Sequence, residues 1–216
     1  MDVRRALLLT AALSAASLSV ACGGGPAPVA FENRTFYNYG FGAGGADVSA
    51  FEKPYPPLDL AEKAPNPQYI GVSIIGEHVH ISRPRNWIIR SAGNQIGARY
   101  IEYVSPNEYI FAVYERQDDP SDLWRDILGR YEEDVKKVGA ELVGERVPVA
   151  TWNAQGRAYV VRRPVAAAKQ PFISMSRELL LRSEARVVLV QIVHQGSSLE
   201  PVSDELYRTV QTLQVY

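Results

Sequence analysis

The sequence has few of the residues with which small proteins build covalent cross-links or metal sites. One cysteine, Cys22, occurs in 216 residues, so no internal disulfide can form. Only three histidines occur, and 24 acidic residues nearly balance 23 basic ones. A balanced charge lacks the strong positive field that attracts nucleic acid, and we expect no such partner. Hydrophobic residues make up 46% of the chain, too many for a disordered protein and enough for a folded core.

The motifs of common enzymes are also missing. The Gly-Ser-Ser sequence at 196–198 lacks the Gly-x-Ser-x-Gly pattern of a nucleophile elbow. The three glycines at 23–25 precede no predicted helix, so they do not form a phosphate-binding loop. We therefore expect a protein that is not an enzyme and that uses no cofactor.

The one long apolar stretch lies at the start of the sequence. Arg4 and Arg5 precede residues 6–21, whose side chains are all apolar or small hydroxyls. A helix needs about 20 strongly apolar residues to cross a bilayer, so this stretch is too short for a permanent span. A positive start, an apolar middle and small residues before a cut are the parts of a secretory signal peptide. We predict that residues 1–21 are such a signal.

The only cysteine follows this stretch directly. The sequence Leu18-Ser19-Val20-Ala21-Cys22 resembles the lipobox of bacterial lipoproteins, although the family usually has leucine where this chain has Ser19. The resemblance implies that Cys22 carries lipid and anchors the chain to a membrane. With no aspartate after Cys22, the family's sorting pattern implies an outer-membrane lipoprotein, facing the periplasm or the surface. An ordinary cleavage site, which the small residues before Cys22 also fit, would release a soluble protein instead.

Residues 22–68 differ in composition from the rest. Seven glycines and seven prolines punctuate them, which predicts an irregular tether. This tether is also rich in aromatic residues. Tyr37, Tyr39 and Phe41 would share one face of an extended segment, which could dock onto a partner by strand addition. The alternative is that the aromatic residues pack onto the domain as irregular cover.

Residues 69–216 show the periodicities of one folded domain. Apolar residues recur every three or four positions over 120–138, which predicts a helix with Asp119 as its N-cap. A second helix is predicted from 201 or 203 to 213. Nearly every residue of 187–193 is apolar, which predicts a central strand covered on both faces. Strands are predicted at 69–75, 78–82, 99–104, 109–114, 141–152, 157–164, 172–181 and 186–194.

The order of strands, helix, strands and helix predicts an α+β fold. We expect a mostly antiparallel sheet of about six to eight strands covered by two helices, an α/β/α sandwich, preceded by the tether. Residues 79–87 read Val-His-Ile-Ser-Arg-Pro-Arg-Asn-Trp, which is similar to the strand-proline-x-x-tryptophan opening of PsbP-like domains. That resemblance implies the same sandwich over about 69–215 and a binding or assembly role. It identifies no site residues.

Three groups of residues are candidates for binding. His78, His80 and His194 would hold zinc if the fold brought them together, which would allow a metal-dependent hydrolase. The alternative is that they are partly exposed strand histidines without a ligand. A small-ligand carrier would use a cleft between sheet and helix near its tryptophans. The tryptophans are Trp87, Trp124 and Trp152.

Basic residues cluster in the two long predicted hairpins. Alternation would place many of them outward, either as a solvated face or as a surface for an anionic partner. Our leading hypothesis is a lipid-anchored accessory protein that binds or stabilises an envelope protein complex. The basic residues are Arg157, Arg162, Arg163, Lys169, Arg177, Arg182 and Arg186.

Overall fold

The computed structural model describes residues 51–55, 68–95, 98–107, 109–165, 172–194 and 202–216. They form eleven strands and two helices. Within these ranges, no helix is both long and apolar enough to cross a lipid bilayer. The elements are β1 Glu52–Pro54, β2 Tyr69–Ile74, β3 Val79–Pro84, β4 Ile88–Gln95, β5 Ala98–Val104, β6 Tyr109–Glu115, α1 Trp124–Lys137, β7 Glu141–Ala150, β8 Gln155–Val165, β9 Phe172–Arg182, β10 Val187–His194, α2 Asp204–Gln211 and β11 Gln214–Val215.

The strands form two antiparallel sheets rather than one. The larger has the order β4-β5-β6-β10-β9-β8-β7, and the smaller has the order β1-β2-β3-β11. The β2–β3 hairpin pairs with none of the long strands and instead packs against one face of the larger sheet. The predicted α+β sandwich with a mostly antiparallel sheet is confirmed. One of its outer layers, however, combines a helix with a second sheet.

Two hydrophobic cores lie on opposite faces of the seven-stranded sheet, and β10 contributes to both. Val188, Val190 and Ile192 pack toward the small sheet and α2. Val187 and Leu189 pack toward α1 on the other face. All eight residues of β10 are buried, which confirms the prediction of a central strand covered on both sides.

Both predicted helices are present, with different starts. α1 buries a stripe at four-residue spacing, Ile127, Tyr131 and Val135, against the large sheet. Asp119 is not its N-cap: the Asp119 carboxylate accepts hydrogen bonds from Ser121, and α1 begins four residues later than predicted, without a side-chain cap. An acidic side chain that closes its own turn is a common competitor of helix capping. Of the two predicted starts of α2, the structure agrees with 203. Ser203 is the N-cap, and its Oγ accepts a hydrogen bond from the Leu206 amide.

Three strands were not predicted. β4 carries a bulge between Ile89 and Ser91, which breaks the alternation by which a strand is recognised. β1 and β11 have three and two residues, too few to show any period. β1 lies within the segment that the sequence predicts to be irregular. That prediction is therefore wrong for 52–54, and residues 22–50 and 56–67 of the predicted tether lie outside the described part of the chain.

Candidate functional site

Two adjoining cavities open at one end of the sandwich, where the β7–β8 turn, the β9–β10 turn and the approach to α1 meet. Their volumes are about 510 Å³ and 660 Å³, and both are lined by Ala150, Gln155 and Arg182. Trp124 lines the first cavity and Trp152 lines the second. We name the combined depression the tryptophan cleft. Its defining residues are Trp124, Ala150, Trp152, Gln155, Arg157 and Arg182.

Local sequence fixes the wall that carries Trp152. Gly156 allows β8 to approach β9 closely, since a Cβ at this position would lie 1.8 Å from the Leu180 carbonyl oxygen. The Asn153 side chain holds β11 through bonds of 2.9 Å and 2.8 Å to the Val215 carbonyl and amide. The turn is therefore pinned on both sides while the Trp152 side chain remains 59% exposed.

Arg182 and Arg157 form the basic side of the cleft. Arg182 Nη1 donates to the carbonyls of Asp122 and Pro120 at 3.0 Å and 3.5 Å. The same guanidinium lies 5.2 Å from the centre of the Trp124 ring, a cation–π arrangement. Arg157 pairs with Leu180 in the β8–β9 register, which makes it a diagonal neighbour of Arg182. Within the described ranges, neither guanidinium forms an ion pair.

A different kind of charged group lies deeper between the sheet and α1. Glu178 is completely buried and forms a salt bridge with Arg163. It also accepts hydrogen bonds from Tyr131 Oη at 2.7 Å and Ser176 Oγ at 2.9 Å. Burial is the largest single influence and acts to raise the pKa of Glu178, but the charge of Arg163 together with the hydrogen bonds from Arg163, Tyr131 and Gln191 outweighs it, and the pKa is lowered. This cluster is saturated with partners and has a structural role.

The sequence alone places Arg163 among the surface arginines of the hairpins, whereas the structure buries it beneath α1. Its position did contain the necessary signal. Tyr159, Val161 and Arg163 alternate along β8 and therefore share the face that α1 covers. A second buried carboxylate, Glu102, accepts from Tyr114 Oη and Ser91 Oγ, and burial raises its pKa.

The first described segment is locked to the domain by a third charged cluster. Glu52 on β1 receives two hydrogen bonds from Arg83, at 2.6 Å and 2.8 Å, and a third from Tyr103 Oη at 2.5 Å. Arg83 is nearly buried and Tyr103 is completely so. The rings of Tyr55 and His80 are in tilted contact, with their centres 3.7 Å apart. These contacts place residues 51–55 on the folded domain.

The structure does not bring the three histidines together. His78 lies in the turn before β3 and contacts Glu115 at 3.2 Å, while His80 lies between the rings of Tyr55 and Tyr216. His194 is at the far end of β10, six residues beyond the partner of Glu115, which is about 20 Å along a strand. In the part of the chain that is described, no three His, Cys, Asp or Glu side chains are grouped to hold a metal ion.

The predicted three-tryptophan cleft is only partly correct. Trp124 and Trp152 line the cleft, but Trp87 is 2% exposed on the other side of the sheet, where its Nε1 donates to Glu205 at 2.9 Å. The predicted anchor and docking residues all lie outside the described residues, as does Lys169, so these predictions stay predictions. The anchor and docking residues are Cys22, Tyr37, Tyr39 and Phe41.

Comparison with known proteins adds little to this picture. No family model matches the sequence, so the resemblance to PsbP-like domains gains no support from that comparison. No curated protein matches it either. Among solved structures, the chain is similar to the crystal structure of LpqN, which is involved in cell envelope biogenesis of Mycobacterium tuberculosis. The two are 12% identical with a TM-score of 0.36, over 76% of this chain and 90% of that one. The likeness is therefore to a cell-envelope protein, but at this TM-score it carries no argument about function.

Proposed function

We propose that this chain is a lipid-anchored accessory protein of the bacterial envelope that binds a membrane-associated protein complex and is not an enzyme. The signal-like residues 1–21 and the lipobox-like sequence ending at Cys22 support the anchor and its outer-membrane location. Two or more acyl chains on Cys22, as in the lipoproteins that it resembles, would make the attachment stable.

The observation that carries the binding role is the exposure of large apolar side chains around the tryptophan cleft. Trp152 is 59% exposed at the β7–β8 turn, and Leu123, just before α1, is 58% exposed. Tryptophan is among the residues that dominate binding energy when a partner covers them. Exposed apolar groups gathered at one end of a domain are typical of an interaction surface.

The same end of the domain receives the segment that comes from the proposed anchor. Glu52 pairs with Ile74, beside the β2–β3 turn. In that turn, the backbone carbonyl of His78 accepts a hydrogen bond from the Tyr216 amide. The neighbouring Val215 is held by the Asn153 side chain, one residue from Trp152. Phe51 follows Cys22 by 29 residues, which can span at most about 100 Å. A partner of the cleft would therefore have to lie within the reach that this segment allows from the membrane.

Photo-crosslinking in intact cells tests this proposal. A photoreactive residue at Trp152 should capture the same membrane-associated protein in repeated experiments, and Cys22→Ser should abolish that capture by releasing the chain. Ile88, which is 64% exposed at the start of β4, is the matched control position, because its partner Val104 precedes the turn at the opposite end of the domain. Crosslinks to lipid alone, or equal capture from both positions, would contradict the proposal.

A second candidate function is that of a small-ligand carrier, and the two cavities favour it. Their volumes fall in the range of about 300–1,000 Å³ that is usual for small-molecule sites. Fluorescence of Trp124 and Trp152 should change when a panel of envelope metabolites includes the ligand. Trp152→Phe should reduce that change. Trp87→Phe is the control, because Trp87 lies on the other face of the sheet.

A further inference from the structure

Among the described residues, the cavity that holds Trp124 is lined by two positive charges, Arg157 and Arg182, and by no carboxylate. Glu184 lines only the adjoining cavity. The other two arginines of β8 have acidic partners: Arg163 pairs with Glu178, and Arg162 pairs with Glu141. Two like charges at diagonal positions of neighbouring strands repel each other unless an anion lies between them. The charge of this cavity is thus complementary to a negatively charged ligand.

Arg182 is held in position for such a ligand. Its two hydrogen bonds to the carbonyls of Pro120 and Asp122 both use Nη1, and the guanidinium lies over Trp124. Within the described part of the chain, Nε and Nη2 make no further bond and keep their donors for a ligand. A planar guanidinium presents paired donors that match the oxygens of a phosphate, and a fixed side chain loses little entropy on binding.

The start of α1 adds positive potential at the same place. Trp124 is the first residue of this 14-residue helix, and its N-cap Leu123 provides no side-chain acceptor. The first amides of a helix are unsatisfied donors at the positive end of its dipole, where anions bind well. Asp126 in the first turn offsets part of this potential, but it lies outside the lining of the cavity.

We propose that the tryptophan cleft binds an organic phosphate, with its phosphate group between Arg157 and Arg182 and its carbon skeleton against Pro148, Val149 and Trp152. Two guanidiniums match the charge of about −1.5 to −2 on a phosphate monoester better than the single charge of a carboxylate. The apolar walls suit a ligand that also has carbon surface. This inference rests on the second proposed function, small-ligand binding. A monoester lipid headgroup, such as that of phosphatidic acid, and a soluble sugar or glycerol phosphate share the required chemistry.

Calorimetric titration of glycerol 3-phosphate into the full chain carrying Cys22→Ser tests the site. We expect saturable binding that weakens as salt is added, because the contacts are ionic. Arg157→Gln should weaken binding at least tenfold, and Arg182→Lys, which keeps the charge but loses the planar fork, should weaken it measurably. Arg162→Gln is the matched control and should change affinity less than twofold, since Arg162 alternates to the opposite face of β8. Circular dichroism melting would verify that each variant is folded.

Vesicle sedimentation separates the two sources of phosphate. If the ligand is a headgroup, the Cys22→Ser chain should sediment with vesicles containing phosphatidic acid, whose headgroup is a phosphate monoester, more than with phosphatidylcholine alone, and Arg157→Gln should remove the difference. Binding of glycerol 3-phosphate without that difference indicates a soluble ligand.

The failures of the two ideas are distinguishable. Binding of an uncharged ligand from the panel that Arg157→Gln leaves intact would overturn the phosphate site but retain the carrier. Absence of saturable binding for every probe would overturn both. The phosphate site would also be overturned if the Arg157→Gln variant and the protein with Arg157 bound glycerol 3-phosphate with equal affinity.

Discussion

Two arginine-containing clusters on β8 and β9 differ in burial and in the charges around them. Arg163 and Glu178 lie deep beneath α1, where the salt bridge and the bond from Tyr131 satisfy the carboxylate. A few residues along the same strands, Arg157 and Arg182 line the cavity that holds Trp124, where no described carboxylate joins them, and Glu184 lines only the adjoining cavity. The difference follows from solvent access. A charge that is buried away from water needs a partner of opposite charge, whereas a charge in an open cleft is hydrated and can remain unpaired until a ligand binds. The first cluster therefore supports the fold, and the second is available for binding.

The largest expected effect comes from breaking the buried cluster. Glu178→Gln leaves the buried Arg163 charge without its counterion, and we expect a loss of about 3–5 kcal/mol in the free energy of unfolding. Urea denaturation would measure it. Glu133→Gln, on the exposed side of α1, is the control and should stay within about 0.5 kcal/mol. If Glu178→Gln costs as little as the control, the buried pair does not have the structural role assigned to it.

The pH dependence of stability should carry the signature of the same cluster. The pKa of Glu178 is lowered in the folded state relative to its ordinary value of 4.5. Its contribution is therefore complete above pH 4.5 and is lost as the pH falls through the folded-state pKa. Urea midpoints measured from pH 7 down to pH 3 should decline for the natural chain. The decline should be smaller for Glu178→Gln, and identical profiles would contradict the assignment.

A smaller loss is expected at the cluster that holds β1, because the Glu52 side chain is 13% exposed whereas that of Glu178 is fully buried. Glu52→Ala removes the counterion of Arg83 and the acceptor of Tyr103, which we expect to cost about 2 kcal/mol. It should also free residues 51–55 from the small sheet, so limited proteolysis should cut there faster. Lys53→Ala is the matched control, because its ion pair with Glu77 is exposed on both sides. Equal protease sensitivity of the two variants would show that Glu52 does not hold this segment.

The smallest effect on stability is expected at the cleft. Arg157→Gln removes a charge that has no ion-pair partner in the described ranges, and it relieves repulsion from Arg182. We expect the free energy of unfolding to change by no more than about 0.5 kcal/mol. Thermal melting at low ionic strength would detect any gain in stability. A loss of 2 kcal/mol or more would mean that Arg157 belongs to the folding core.

The sequence predicted the elements that have long and regular periods. The sequence predicts α1 from its apolar stripe and β10 from its continuous apolar run, because in both elements the spacing of apolar residues along the chain indicates which side chains are buried. β4 was not predicted because its bulge interrupts the alternation of apolar and polar residues. Asp119 was wrongly predicted to be an N-cap, because its carboxylate instead closes a local turn. Both errors concern backbone geometry that composition does not reveal.

The candidate site was predictable only in its residue types. Trp124, Trp152 and the hairpin arginines were all selected from the sequence, but so were Trp87 and Arg163, which the fold buries elsewhere. Choosing among them requires knowing which turns meet at one end of the sandwich. The contact of Asn153 with Val215, 62 residues away, and that of Arg182 with Asp122, 60 residues away, decide this.

The amino-acid order by itself thus determined the α+β class, the positions of α1 and β10 and the chemical types present in the cleft. Those properties follow from the period with which side chains alternate around a local axis. Only the tertiary structure decided that the strands separate into two sheets, that Arg163 has a buried counterion and that Arg157 has none among the described residues. Those outcomes depend on contacts between residues far apart in the chain, about which local periodicity carries no information.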